Sequence, residues 1–126
     1  MAKIERFEDL QCWQASRELV KFIYILCSKG KLSKDFDTQR QLKKAGLSTM
    51  NNIAEGFSRY HKKETIRFYD ISQSSATEVK SISYVLEDLE YLESNDIKEM
   101  REKSEKTRYL TLGFIKYLDN NKRETT

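Results

Sequence analysis

The residues of this sequence with the clearest chemical use are cations. Lys29, Lys31, Lys34, Arg40, Lys43 and Lys44 crowd one stretch, and Arg59, Lys62, Lys63 and Arg67 crowd a second. Side chains of this kind neutralise phosphates, and Tyr60 inside the second group could add stacking on a base. A solvated helix face explains them as well, and a formal net charge of +3 is modest beside that of a dedicated nucleic-acid binder.

Other chemistry finds little to work with. The sequence has one histidine, His61, and no Glu-x-x-His pair of the kind that holds two metal ions inside helical bundles. His61 reads as a helix cap on an exposed loop rather than a base or ligand. Cys12 and Cys27 would each need a positioned base to act as nucleophiles, and the histidine is remote in sequence from both. No glycine-rich phosphate loop follows a strand. The expectation is a protein that is not an enzyme, with no catalytic residue, metal or cofactor.

The elements that would carry the cations are helices. The chain has 126 residues, no proline and four glycines, enough for one core and a single domain over residues 1–126. The spacing of apolar residues predicts helices over about 9–27, 37–55, 62–92 and 96–119. Short connections make them antiparallel, so the expected fold is an all-α, up-down-up-down four-helix bundle.

In the first helix, Asp9 is the expected N-cap, and two apolar stripes run side by side. One is Leu10, Trp13, Val20, Tyr24 and Cys27; the other is Leu19, Phe22, Ile23 and Leu26. A helix apolar on more than one side is buried on more than one side, which predicts a homo-oligomer. Residues 28–33 form a polar connection. The second helix is expected to stop at Gly56 as a left-handed C′ residue. His61 and Glu64 have capping-box spacing for the third helix, whose seam is Phe68, Ser72, Ser75, Val79, Ile82, Leu86 and Leu89. The small residues Ser72, Ser74, Ser75 and Ala76 mark a close helix crossing. Asp96 and Glu99 repeat the capping-box spacing for the fourth helix, and residues 120–126 are expected to fray.

Charge along the chain is uneven: residues 29–44 are about four positive, 78–105 about five negative and 106–124 about three positive. A two-faced surface is expected, and the acidic stretch offers a second kind of use, docking a partner protein. Residues 1–8 are charged and the longest apolar run, 22–27, is far too short to cross a bilayer, so no membrane association and a reducing cytoplasm are expected. The two cysteines, about 22 Å apart along one helix, cannot bridge each other.

Residues 51–59 ask for more than packing. Glu55 sits at the negative end of a helix dipole and needs a partner, which Arg59 or the amides of the following turn could supply, locking the corner between helices two and three. Asn52, a poor residue for mid-helix, is expected to tie down a neighbouring helix or loop.

Phe7-Glu8-Asp9-Leu10 with Trp13-Gln14-Ala15, then Gln39 and Ala45, then Asn52-Ile53-Ala54-Glu55-Gly56, Arg59 and Phe68 together carry a family pattern. In these residues the chain resembles the bacterial four-helix-bundle family encoded in 23S rRNA intervening sequences. It departs from that pattern at Ser74-Ser75, where a glycine-serine pair is common. The resemblance implies an up-down bundle assembled as a ring-like pentamer, without catalysis and with a nucleic-acid-binding role, whether for RNA or DNA. A protein-interaction scaffold without nucleic-acid contact is the alternative.

Overall fold

The computed structural model describes the backbone from residue 3 to residue 124 and side chains as far as residue 120. Four helices fill it: α1 (Gln11–Leu26), α2 (Phe36–Phe57), α3 (Lys62–Asp88) and α4 (Ser94–Glu124), with 3-10 turns at Phe7–Asp9 and Gly30–Lys34. Helices adjacent in sequence pack on one another and α1 also packs on α4, closing an up-down square. The expected all-α, antiparallel bundle is the observed architecture.

Two apolar layers are separated by a waist of small residues. Leu19, Ile23, Leu26, Leu32, Leu42, Val79, Leu86, Ile97 and Met100 form one layer. Leu10, Trp13, Ile53 and Tyr69, with Phe57 and Phe114 against them, form the other. Between them lie buried Ser16, Gly46, Thr49, Ser72, Ser75, Ala76, Ser104 and Thr107. The Ser72 hydroxyl donates to the Thr49 carbonyl of α2 at 2.7 Å, and the Ser48 and Ser75 hydroxyls share a bond of 2.7 Å. Small side chains let α2 and α3 approach closely enough for these contacts, as the sequence predicts for Ser72, Ser75 and Ala76; Ser74, expected with them, is exposed instead. Ser16 and Ser104 donate to carbonyls one turn back in their own helices, so neither of these hydroxyls is unpaired, whereas the buried Thr107 hydroxyl has no partner among the described residues.

Several helix ends differ from expectation. Asp9 does not cap α1: it closes a 3-10 turn, and Leu10 takes the N-cap place with an extended backbone and no side-chain cap. Leu10 is buried, and burying a leucine is worth about 1.5–3 kcal/mol against about 1 kcal/mol for a cap. The Gln14 amide, donating to the Glu8 carbonyl at 2.9 Å, ties the turn down. Residues 28–33 are not simply polar, since Leu32 is wholly buried. His61 holds the N-cap position of α3 without a side-chain bond, so no capping box forms there. At α4 the helix begins at Ser94; Asp96 lies inside its first turn, and Glu99 pairs with Lys103 instead of reaching back. α4 also continues to Glu124, beyond the expected end at 119, and the expected fraying of residues 125–126 falls outside the described residues.

Gly56 is the plainest correction. It lies within α2, buried, with no left-handed φ, and the helix ends beyond it at Phe57. Its role is close approach: a Cβ there would stand 2.7 Å from Tyr69 Cε1 and 3.0 Å from Phe68 Cβ.

α3 stops at Asp88 rather than 92, leaving Leu89 exposed. The Tyr91 amide donates to the Leu86 carbonyl and the Glu90 amide to the Glu87 carbonyl, a Schellman ending with Glu90 at the left-handed position, φ 55°. Glycine normally fills that place. Glu90→Gly is expected to raise stability by roughly 0.5–1 kcal/mol, relief of left-handed strain less the added freedom of the unfolded chain. Urea denaturation of the two proteins measures it.

The start of α2 is capped by Asp35, one carboxylate oxygen accepting from the Thr38 amide at 3.0 Å and the other from the Thr38 and Tyr91 hydroxyls at 2.8 and 2.9 Å. These bonds, the Thr38 amide first, hold the carboxyl below its ordinary pKa. A depressed folded-state pKa stabilises above the unfolded value, and that contribution is lost as pH falls through the folded one. Asp35→Ala should therefore lower the urea midpoint at about pH 7, with the gap from the parent closing as the solution is acidified below the ordinary aspartate range.

Candidate nucleic-acid interface

The ten cations do not form one patch. Lys29, Lys31 and Lys34 surround the 3-10 turn between α1 and α2, and Arg40, Lys43 and Lys44 follow on the first turns of α2. Arg59, Lys62, Lys63 and Arg67 sit at the far end of α2 and the start of α3. The part of α2 between them holds the two groups apart, about 22 Å along the bundle from Lys44 to Arg59.

Their surroundings differ. The α3–α4 connection lies beside the first group, with the Lys31 amide donating to the Tyr91 carbonyl at 3.2 Å. That connection and the helix turns on either side of it carry Glu87, Asp88, Glu90, Glu93 and Asp96, so acids and bases share this end and their fields partly cancel. Lys29 approaches Asp96 at 3.8 Å, Arg40 approaches Asp37 at 3.2 Å, and the Lys43 ammonium lies 4.9 Å from the Tyr24 ring centre. The expected two-faced surface is thus mixed at this end. Along the rest of the acidic stretch Lys80 meets Glu105 at 3.3 Å and Arg101 meets Glu87 at 3.1 Å.

The α2–α3 corner is cleaner. Arg59 reaches Glu55 at 3.2 Å, as the sequence suggested, and its guanidinium lies 4.6 Å above the Phe68 ring of α3. Both charges are largely exposed, so the pair adds little stability; stacking on Phe68 is what joins the helices. Asn52 acts through Ser48, donating to its carbonyl and hydroxyl at 2.9 Å and so orienting the hydroxyl that meets Ser75. Beyond this brace Tyr60 is 94% exposed, edge-on to His61 at 5.1 Å. Lys62, Lys63 and Arg67 form no ion pair among the described residues, and Glu64 is the acid interleaved with them. Lys63 and Arg67 are one turn apart and exposed, an arrangement suited to successive phosphates.

Nucleophilic chemistry is not prepared at either cysteine. Both thiols are free and buried. Burial pushes Cys12 up to about 11 and raises Cys27, leaving little thiolate at neutral pH. Among the described residues no group of three or more His, Cys, Asp or Glu side chains is placed to hold a metal ion. No helix of the described residues is long and apolar enough to cross a membrane.

One feature of this end is absent from the sequence reading. A groove of about 1100 Å³ opens beside the corner, with Phe57, Tyr69, Tyr109 and Tyr117 among its walls. Its signal is Tyr109, Gly113 and Tyr117 at steps of four in α4, an exposed stripe that touches the core only where the Tyr117 ring meets Phe114 at 5.7 Å.

The fold and this arrangement can be set beside known proteins. A solved structure of a protein of unknown function from the S23 ribosomal protein family of Bacteroides thetaiotaomicron superposes with a TM-score of 0.76 at 21% identity, covering 83% of this chain and 98% of that one. At that identity the likeness concerns the fold. No curated protein matches the chain. The family model for the 23S rRNA-intervening sequence protein matches residues 8–112, from the 3-10 turn before α1 well into α4. The chain belongs to the 23S rRNA-intervening sequence protein family.

Proposed function

We propose that this protein is a non-catalytic oligomer that binds RNA or DNA through the α2–α3 corner. The observation that carries the reading is Tyr60, 94% exposed and surrounded in sequence by Arg59, Lys62, Lys63 and Arg67. An aromatic ring with no packing role, beside Lys62, Lys63 and Arg67 that form no ion pair among the described residues, is the composition of a strand-binding surface. Lys29, Lys31, Lys34, Arg40, Lys43 and Lys44 play a lesser part, because acids lie beside them.

Exposed Tyr24 and Ile25 on α1 support assembly with further copies, and the family resemblance suggests five. A ring would repeat the corner, so that a weak site on each protomer gains by avidity. Two free thiols fit a cytoplasmic location. A second reading, protein docking, is favoured by Tyr84, Val85 and Leu89, all exposed beside the acids at the end of α3.

Charge reversal separates the two ends. Lys62→Glu with Lys63→Glu and Arg67→Glu should abolish binding to labelled RNA or DNA with helicity retained. Lys31→Glu with Lys34→Glu should change affinity by no more than about threefold. Loss of binding only from the second variant would contradict the assignment to the corner.

A further inference from the structure

The groove beside the corner has a shape and chemistry that the phosphate contacts leave unused. Its walls include Phe57 near the end of α2, Thr65 and Tyr69 of α3, and Tyr109, Gly113 and Tyr117 of α4. Lys62, Thr65 and Tyr69 fall at i, i+3 and i+7, one face of α3, so the groove begins one turn below a corner lysine. Phe57 precedes Arg59 by two residues. A backbone lying over the corner therefore passes the groove's upper end.

Three observations limit what could enter. Phe57, Tyr69, Tyr109, Phe114 and Tyr117 bring five rings to walls otherwise made of aliphatic and polar side chains, which suits a flat ring. The Tyr69 hydroxyl is buried with no hydrogen-bond partner among the described residues, so one wall contains a polar group that a hydrocarbon would leave unpaired. Gly113 lies in the middle of a long helix, where glycine is disfavoured, and a Cβ there would meet nothing within 4 Å. No neighbour within the chain requires that glycine; it keeps the groove wide.

We propose that the groove takes an unstacked base of single-stranded RNA or DNA whose phosphates lie on the α2–α3 corner. A base offers a flat face to the tyrosines and ring nitrogens and carbonyl oxygens to the unpaired hydroxyl. Paired bases in a duplex cannot be splayed into such a groove without breaking the helix. This rests on the nucleic-acid reading above and narrows it to single strands, loops or bulges.

The test compares one labelled oligonucleotide of about a dozen nucleotides, as a single strand and as a duplex with its complement, by fluorescence anisotropy with the full chain. The single strand should bind at least about tenfold more tightly. Gly113→Phe, which fills open space and replaces a poor helix residue, should weaken single-strand binding about tenfold and leave duplex binding unchanged. Tyr109→Ala, at a side chain 76% exposed and so without a folding role, should weaken the single strand in the same sense. Equal affinity for the two forms, or variants that bind the single strand as the parent does, overturns the groove while leaving the corner standing. Binding of neither form overturns both.

Discussion

Gly30→Ala is expected to destabilise the protein by about 3 kcal/mol. Gly30 has φ 52°, in the left-handed region, where alanine loses about 1–2 kcal/mol. An added Cβ would also collide with the backbone carbonyl of Tyr91, and a carbonyl is not the yielding end of a flexible side chain. That carbonyl accepts from the Lys31 amide, while the Tyr91 amide ends α3 and the Tyr91 hydroxyl meets Asp35 at the start of α2. Movement of Tyr91 would therefore loosen three elements together. Urea denaturation of the variant measures the loss. An unchanged midpoint would show that the two connections are not coupled through this contact.

Gly56→Ala should cost about 1–3 kcal/mol even though alanine is the better helix former by about 1 kcal/mol. The new methyl would meet Tyr69 Cε1 at 2.7 Å and Cδ1 at 2.8 Å. Tyr69 is wholly buried and packed on Phe114 with ring centres 5.5 Å apart, so the ring cannot turn aside. Gly46→Ala is the informative comparison. Its methyl would meet Ile23 Cδ1, also at 2.7 Å, but that atom ends a flexible chain, and the gain in helix propensity should leave the variant near neutral. Equal effects at the two glycines would argue against a rigid α2–α3 contact at Tyr69.

What the sequence revealed depended on how local the cause was. The α3 seam was legible at Ser72, Ser75, Val79 and Leu86 because three-and-four spacing is a property of one helix. It overran at Leu89, where the Schellman ending is built on a glutamate rather than a glycine. Gly56 was misread because a glycine near a helix end ordinarily marks the end; its cause, Tyr69, lies on another helix. Tyr69 itself was passed over for its neighbour Phe68, which is only half-buried.

The two apolar stripes of α1 correctly signalled burial on two sides, but much of the covering comes from within the chain. A helix in a square bundle meets two neighbours, here α2 and α4, and Leu19, Ile23, Leu26, Trp13 and Cys27 are all buried between them. Tyr24 and Ile25 remain exposed. For the candidate site, the two stretches of cations were legible in the sequence, but not that acids of the α3–α4 end lie beside the first of them. The groove residues could not be gathered from sequence because they come from all four helices and the segment before α1.

The most direct measurement is the affinity of the full chain for labelled structured RNA and duplex DNA at about 50 mM and about 150 mM salt, read by fluorescence anisotropy. Three phosphate contacts from Lys62, Lys63 and Arg67 predict saturable binding, with a log–log salt slope of about −2 to −3 for each engaged corner. Absence of binding at micromolar protein, even at the lower salt, would contradict the account and reduce these cations to a solvated surface.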